Sequence, residues 1–128
     1  MTARILVVED NPLNLKLVRD VLEIAGHHVV EARSGEEALR IAQDAAPDLV
    51  LMDLQLPGMD GTETMRKLRQ GLLEDDTPVV AVTAFAMAED RERVAQAGFD
   101  GHIAKPISVR ELPDLVTGYL TKGGRGDG

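Results

Sequence analysis

Leu49-Val50-Leu51-Met52-Asp53-Leu54-Gln55-Leu56-Pro57-Gly58 decides the fold. Four apolar residues run without a break into an acid, and the Pro and Gly of a loop follow. A strand with one wet face alternates apolar and polar residues. An unbroken apolar run of strand length belongs instead to a sheet covered by helices on both faces. Two more such runs flank it in the chain, Ile5-Leu6-Val7-Val8 and Pro78-Val79-Val80-Ala81-Val82-Thr83. Segments of helical period separate them, so the chain reads as repeated βα units around a mostly parallel sheet.

The remaining elements follow from local chemistry. Asn11 can cap a first helix with Pro12 at its first position. Leu13, Leu15, Val18, Val21 and Leu22 give that helix an apolar face, and Gly26 stops it. His28-Val29-Val30-Glu31-Ala32 is a shorter second strand, with His27 and His28 facing solvent at its start. Ser34 and Glu37 stand at capping-box spacing and open a second helix, with Ala38, Leu39, Ile41 and Ala42 inward and an end before Pro47. Leu56 to Gly61 is loop, in which Asp60 and Gly61 shape the entry to a third helix from about Thr62 to Gln70. A fourth helix spans about Ala88–Ala97, with its charged stretch Glu89–Arg93 as a solvated face. His102-Ile103-Ala104-Lys105 is a short fifth strand, and a last helix runs from about Val109 to Leu120.

In open parallel sheets, ligands bind beyond the carboxyl ends of the strands. The polar residues of this chain gather there: Glu9-Asp10 after the first strand, Asp53 after the third, Thr83 after the fourth and Lys105 after the fifth. Three neighbouring carboxylates repel one another, and a divalent cation resolves the repulsion. All-oxygen ligands suit Mg²⁺, with Mn²⁺ as a substitute; the chain shows neither an EF-hand loop nor a zinc ligand set. Asp53 has the best position for a nucleophile, and carboxylate attack on phosphorus gives an acyl phosphate. Such transfer needs positioning and charge neutralisation more than acid–base chemistry. A metal ion, the Lys105 ammonium and the Thr83 hydroxyl would serve the three equatorial oxygens.

Composition narrows the classes further. The chain has 128 residues, as expected of one domain, with 44% hydrophobic and 28% charged residues. No Trp, one Tyr and two Phe leave an aliphatic core and no stacking platform for single-stranded nucleic acid. A net charge of −8 repels phosphate backbones, so nucleic-acid binding is not expected. Cys is absent, which removes disulfides and thiolate chemistry. Met1-Thr2-Ala3-Arg4 has no signal-peptide layout and no apolar run reaches membrane-spanning length, so a cytoplasmic protein without membrane contact is expected. Residues 1–121 form the expected domain and 122–128 a flexible tail, whose Arg125-Gly126-Asp127 is attributed to chance.

Four motifs occur together in order and spacing: Val8-Glu9-Asp10-Asn11, Met52-Asp53-Leu54-Gln55-Leu56-Pro57-Gly58-Met59-Asp60-Gly61, Val82-Thr83-Ala84 and Lys105-Pro106. Over residues 4 to about 120 the chain resembles a response-regulator receiver domain, and Val82-Thr83-Ala84-Phe85-Ala86-Met87, with the expected absence of an output domain, resembles the stand-alone regulators of the DivK type. The resemblance implies a flavodoxin-like doubly wound α/β fold, five parallel strands in order 2-1-3-4-5 with five helices. It implies that Asp53 takes a phosphoryl group from a phosphohistidine on a sensor kinase or histidine phosphotransfer protein. Glu9, Asp10, Asp53 and the Gln55 backbone carbonyl would hold Mg²⁺, and Lys105 would precede a cis peptide to Pro106. Thr83 would move toward the phosphoryl group and reshape the face of the fourth helix, fifth strand and fifth helix for a downstream protein target. Gln55 and Phe85 would tune phosphate lifetime. His102 stands where the family usually has Tyr or Phe, and we expect it to serve as the rotameric switch, with pH sensitivity. The product would be a phosphorelay component, not a turnover enzyme, as a monomer or a weak dimer linked to phosphorylation. Competing readings are a receiver that works without phosphate, an aspartate-nucleophile phosphatase and a flavodoxin-like electron carrier. The second lacks its acid because Gln55 stands two residues after Asp53, and the third lacks a phosphate loop after the first strand.

Overall fold

A computed structural model describes residues 2–84 and 87–123. Ten elements alternate in the order β1 (Arg4–Val8), α1 (Pro12–Ile24), β2 (His28–Ala32), α2 (Gly35–Ala45), β3 (Leu49–Asp53), α3 (Gly61–Leu68), β4 (Val79–Thr83), α4 (Ala88–Ala97), β5 (Gly101–Ala104) and α5 (Leu112–Gly123). The strands form one parallel sheet in the order β2-β1-β3-β4-β5. The expected topology is the observed one.

Alternate residues of the central strands feed two cores. On one face Ile5, Val7, Leu49, Leu51, Val80 and Val82 pack with α1 and α5. On the other Leu6, Val8, Val50, Met52, Val79 and Ala81 pack against α2, α3 and α4. Every residue of β3 and β4 is buried. Each large aliphatic side chain so removed from water contributes about 1.5–3 kcal/mol.

The Asn11 side chain caps α1, accepting from the amides of Leu13 and Asn14 at 2.9 and 3.1 Å. The inward stripe is narrower than expected. Leu15, Val18 and Leu22 are buried, whereas Leu13 is 77% exposed. At about 100° per residue Leu13 lies about 200° from Leu15, so one cannot be inward with the other. The Ser34 hydroxyl accepts from the Glu37 amide at 3.1 Å, but the Glu37 carboxylate returns to the Arg33 amide, one residue earlier than a capping box requires.

Three other expectations change. His27 does not face solvent: it is 6% exposed, and its Nδ1 accepts from the Ala3 amide at 3.1 Å, closing the entry to β1. His28 is exposed as expected. Helix α3 ends at Leu68, and turns lead on to Gly71 at φ 102°. Helix α5 begins at Leu112, not Val109, and continues to Gly123. Ser108 builds a separate turn in which its hydroxyl accepts from the Glu111 amide at 3.3 Å. Pro113 then falls in the first helical turn, where a missing N–H leaves no bond unmade. Phe85 and the Arg125-Gly126-Asp127 stretch lie outside the described residues. Among the described residues, no helix is long and apolar enough to cross a membrane.

Candidate functional site

Parallel strands bring their carboxyl ends to one edge, and the chemistry is concentrated there. Asp53 is the last residue of β3 and Thr83 the last of β4, buried to 2% and 1% exposure. Glu9 directly follows β1 at 4% exposure, and Asp10 beside it is exposed. Lys105 directly follows β5. Its Nζ lies 3.1 Å from Asp53 Oδ2 and 3.7 Å from Glu9 Oε1.

Backbone groups fix both buried acids. The Gln55 amide donates to Asp53 Oδ1 at 2.9 Å, and the Asn11 amide to Glu9 Oε2 at 3.1 Å. Each carboxylate is thus gripped on one oxygen by the loop that follows its strand. The Lys105 amide donates to the Thr83 carbonyl at 2.9 Å, tying the cation to the strand that carries the hydroxyl. The Lys105–Pro106 peptide is cis.

The rim is short of positive charge. Burial, with Asp53 close by, raises the Glu9 carboxyl from an ordinary 4.5 to about 7; the Asn11 amide and Lys105 only partly oppose this. One carboxylate oxygen from each of Glu9, Asp10 and Asp53 lies within 4.8 Å of the others. Hard oxygen donors around a deficit of positive charge fit a hard divalent cation.

His102 is not at this cluster. It is half-buried in β5, paired in register with Ala81, while Thr83 pairs with Ala104. It therefore shares a sheet face with Thr83, one pleat repeat further from the rim. Two close backbone approaches were not apparent from sequence. The position of a Cβ on Gly61 would be 2.5 Å from the Asp53 carbonyl oxygen, and one on Gly35 would overlap Thr64 Oγ1. A glycine at the first position of a helix is the only sequence signal for either.

The family described as response regulator receiver domain matches residues 5–117. The chain belongs to that family. This receiver is 46% identical over 120 residues to the polar-differentiation response regulator DivK of Brucella ovis, covering 94% of this chain and 98% of that one. Among solved structures, it matches a CheY-like receiver domain protein from Methanospirillum hungatei at 28% identity and TM-score 0.87, with coverage of 98% and 99%. It also matches the receiver domain of a Pseudomonas aeruginosa sensor histidine kinase at 33% identity and TM-score 0.82, with coverage of 94% and 99%. That protein was crystallised with a magnesium ion coordinated in its active-site cleft. The chain is thus a response-regulator receiver of two-component signalling, of the DivK type.

Proposed function

We propose that this receiver is a cytoplasmic phosphorelay switch in which Asp53 accepts a phosphoryl group, in a Mg²⁺-dependent reaction, from a phosphohistidine of a sensor kinase or phosphotransfer protein. The observation that carries the reading is the convergence on Asp53 of Glu9, Asp10 and Lys105, with Lys105 Nζ 3.1 Å from the Asp53 carboxylate. An Asp53 oxygen attacks phosphorus, the P–N bond to the donor imidazole breaks, and an acyl phosphate forms. Lys105 holds the Asp53 carboxylate beforehand and meets phosphoryl oxygen afterwards. Thr83, at the end of the neighbouring strand, would donate to another. Glu9, Asp10, Asp53 and the Gln55 carbonyl would hold the cation, which supplies charge neutralisation for the transferring group when bound.

Readout follows from how lightly α4 is held. None of its residues is buried, and only Val94 and Ala97 rest on the core. A helix anchored so weakly is the element most easily moved by a small displacement at Thr83. His102, on the same sheet face as Thr83, would serve as the rotameric switch. The α4/β5/α5 face then binds a protein target. The protein switches and resets without acting as a turnover enzyme.

Incubation with Mg²⁺ and acetyl phosphate, followed by intact mass measurement, tests the reading. Wild type gains one phosphoryl mass, and Asp53→Asn gains none. Wild type that stays unmodified with every small-molecule and phosphohistidine donor would overturn it.

A further inference from the structure

Gly35 is the first residue of α2 and lies against Met59 of the β3–α3 loop. Its φ lies outside the left-handed region, so backbone freedom does not explain the glycine. Space does. A Cβ there would overlap Thr64 Oγ1 of α3 and would stand 3.2 and 3.3 Å from the Met59 carbonyl oxygen and Cβ. Thr64 is fully buried, and its hydroxyl donates to the Asp60 carbonyl at 2.8 Å, so it cannot swing aside without giving up that bond in a packed interior. Asp60 in turn accepts from the Glu63 amide at 2.8 Å through its side chain. The chain of contact continues to the acid: Gly61, next along, rests on the Asp53 carbonyl and on Leu54. The segment held between these two approaches contains Gln55, whose amide grips Asp53 Oδ1 at 2.9 Å.

We propose that Gly35 is a positioning residue for the phosphoacceptor site: lacking a Cβ, it lets α2 seat against Met59 and Thr64 and so hold the β3–α3 loop, with Gln55, in register with Asp53. The inference rests on the reading of the site given above. It assigns to α2 an effect on cation affinity that passes through the β3–α3 loop. Replacing Gly35 by Ala displaces the loop, and Gln55 with it. Removing the Thr64 hydroxyl at the same time relieves the worst overlap, while the Met59 carbonyl oxygen and Cβ stay at 3.2 and 3.3 Å.

The experiment titrates Mg²⁺ into wild type, G35A, T64A and G35A/T64A, following the Gln55 amide by nuclear magnetic resonance, with thermal unfolding measured in parallel. The titration is run at a temperature where each variant is folded. G35A is expected to bind Mg²⁺ more than about tenfold more weakly than wild type, and G35A/T64A about threefold to fivefold more weakly than T64A. A lowered melting temperature with unchanged Mg²⁺ affinity would make Gly35 a packing residue and overturn the role. Should G35A not fold, the double variant decides, since equal affinity to T64A overturns the role and a threefold loss upholds it. Wild type that neither binds Mg²⁺ nor accepts a phosphoryl group would overturn the site reading itself, and the positioning role with it.

Discussion

Glu9 is the residue at which burial and charge conflict most. At 4% exposure, with Asp53 beside it, its carboxyl titrates near 7 in the folded chain and near 4.5 when unfolded. The folded state therefore binds this proton more tightly. The stability it contributes is complete below pH 4.5 and is lost as pH rises through about 7. The displacement corresponds to on the order of 3 kcal/mol in the metal-free protein. Glu9→Gln keeps an acceptor for the Asn11 amide and removes the charge. Urea unfolding without metal should find the variant close to wild type at pH 5 and more stable by roughly 2–3 kcal/mol at pH 8. An equal difference at the two pH values would show that Glu9 is not held near neutrality by its surroundings. Sequence could place Glu9 at the rim, because strand ends are readable. It could not give the titration, which depends first on burial in the fold and then on Asp53, forty-four residues along the chain and one strand over.

At the scale of elements, glycines in and against α5 give two predictions of opposite sign. The Tyr119 ring occupies the space a Cβ on Gly101 would need, so α5 lies directly on the backbone of β5. Gly101→Ala should destabilise by about 1–3 kcal/mol through displacement of that ring. Gly118 is exposed in the interior of α5 with nothing near its absent Cβ, and Gly118→Ala should stabilise by about 0.5–1 kcal/mol. Chemical denaturation of both variants checks the pair; the same sign for both would defeat the contact argument. The sequence shows two glycines and cannot tell them apart, because the difference lies in a helix packed across from a strand. The strands themselves were readable, since doubly buried β1, β3 and β4 have no polar alternation. Helix ends were less so: Ser108 and Pro113 both signal a helix start, and only the fold shows that Ser108 closes a separate turn. The burial of His27 is hidden from sequence for a related reason, as its partner, the Ala3 amide, is twenty-four residues away.

Across the molecule, a net charge of −8 is distributed so that, among the described residues, three carboxylates meet at one edge with Lys105 among them. The doubly wound topology causes this, because it directs the carboxyl ends of all five strands to the same side. Local loop sequence alone would not bring residues 9, 53 and 105 together. A cation bound there adds charge where the fold lacks it, and must displace the proton from Glu9 to do so. Metal stabilisation should therefore grow with pH, opposite in sign to the metal-free trend of Glu9 itself. At ten times its dissociation constant, Mg²⁺ adds about 1.4 kcal/mol of stability, worth a few degrees in melting temperature for a chain of this length. Thermal unfolding with Mg²⁺, against a sodium control of equal ionic strength, should show the full rise at pH 8, a much smaller one at pH 5, and reversal by chelation. Asp53→Asn should reduce the rise at pH 8, because it removes a charged ligand while leaving Glu9 and Asp10 in place. A rise of the same size at both pH values would mean that the cation binds elsewhere on the acidic surface, where no buried carboxyl has to give up its proton.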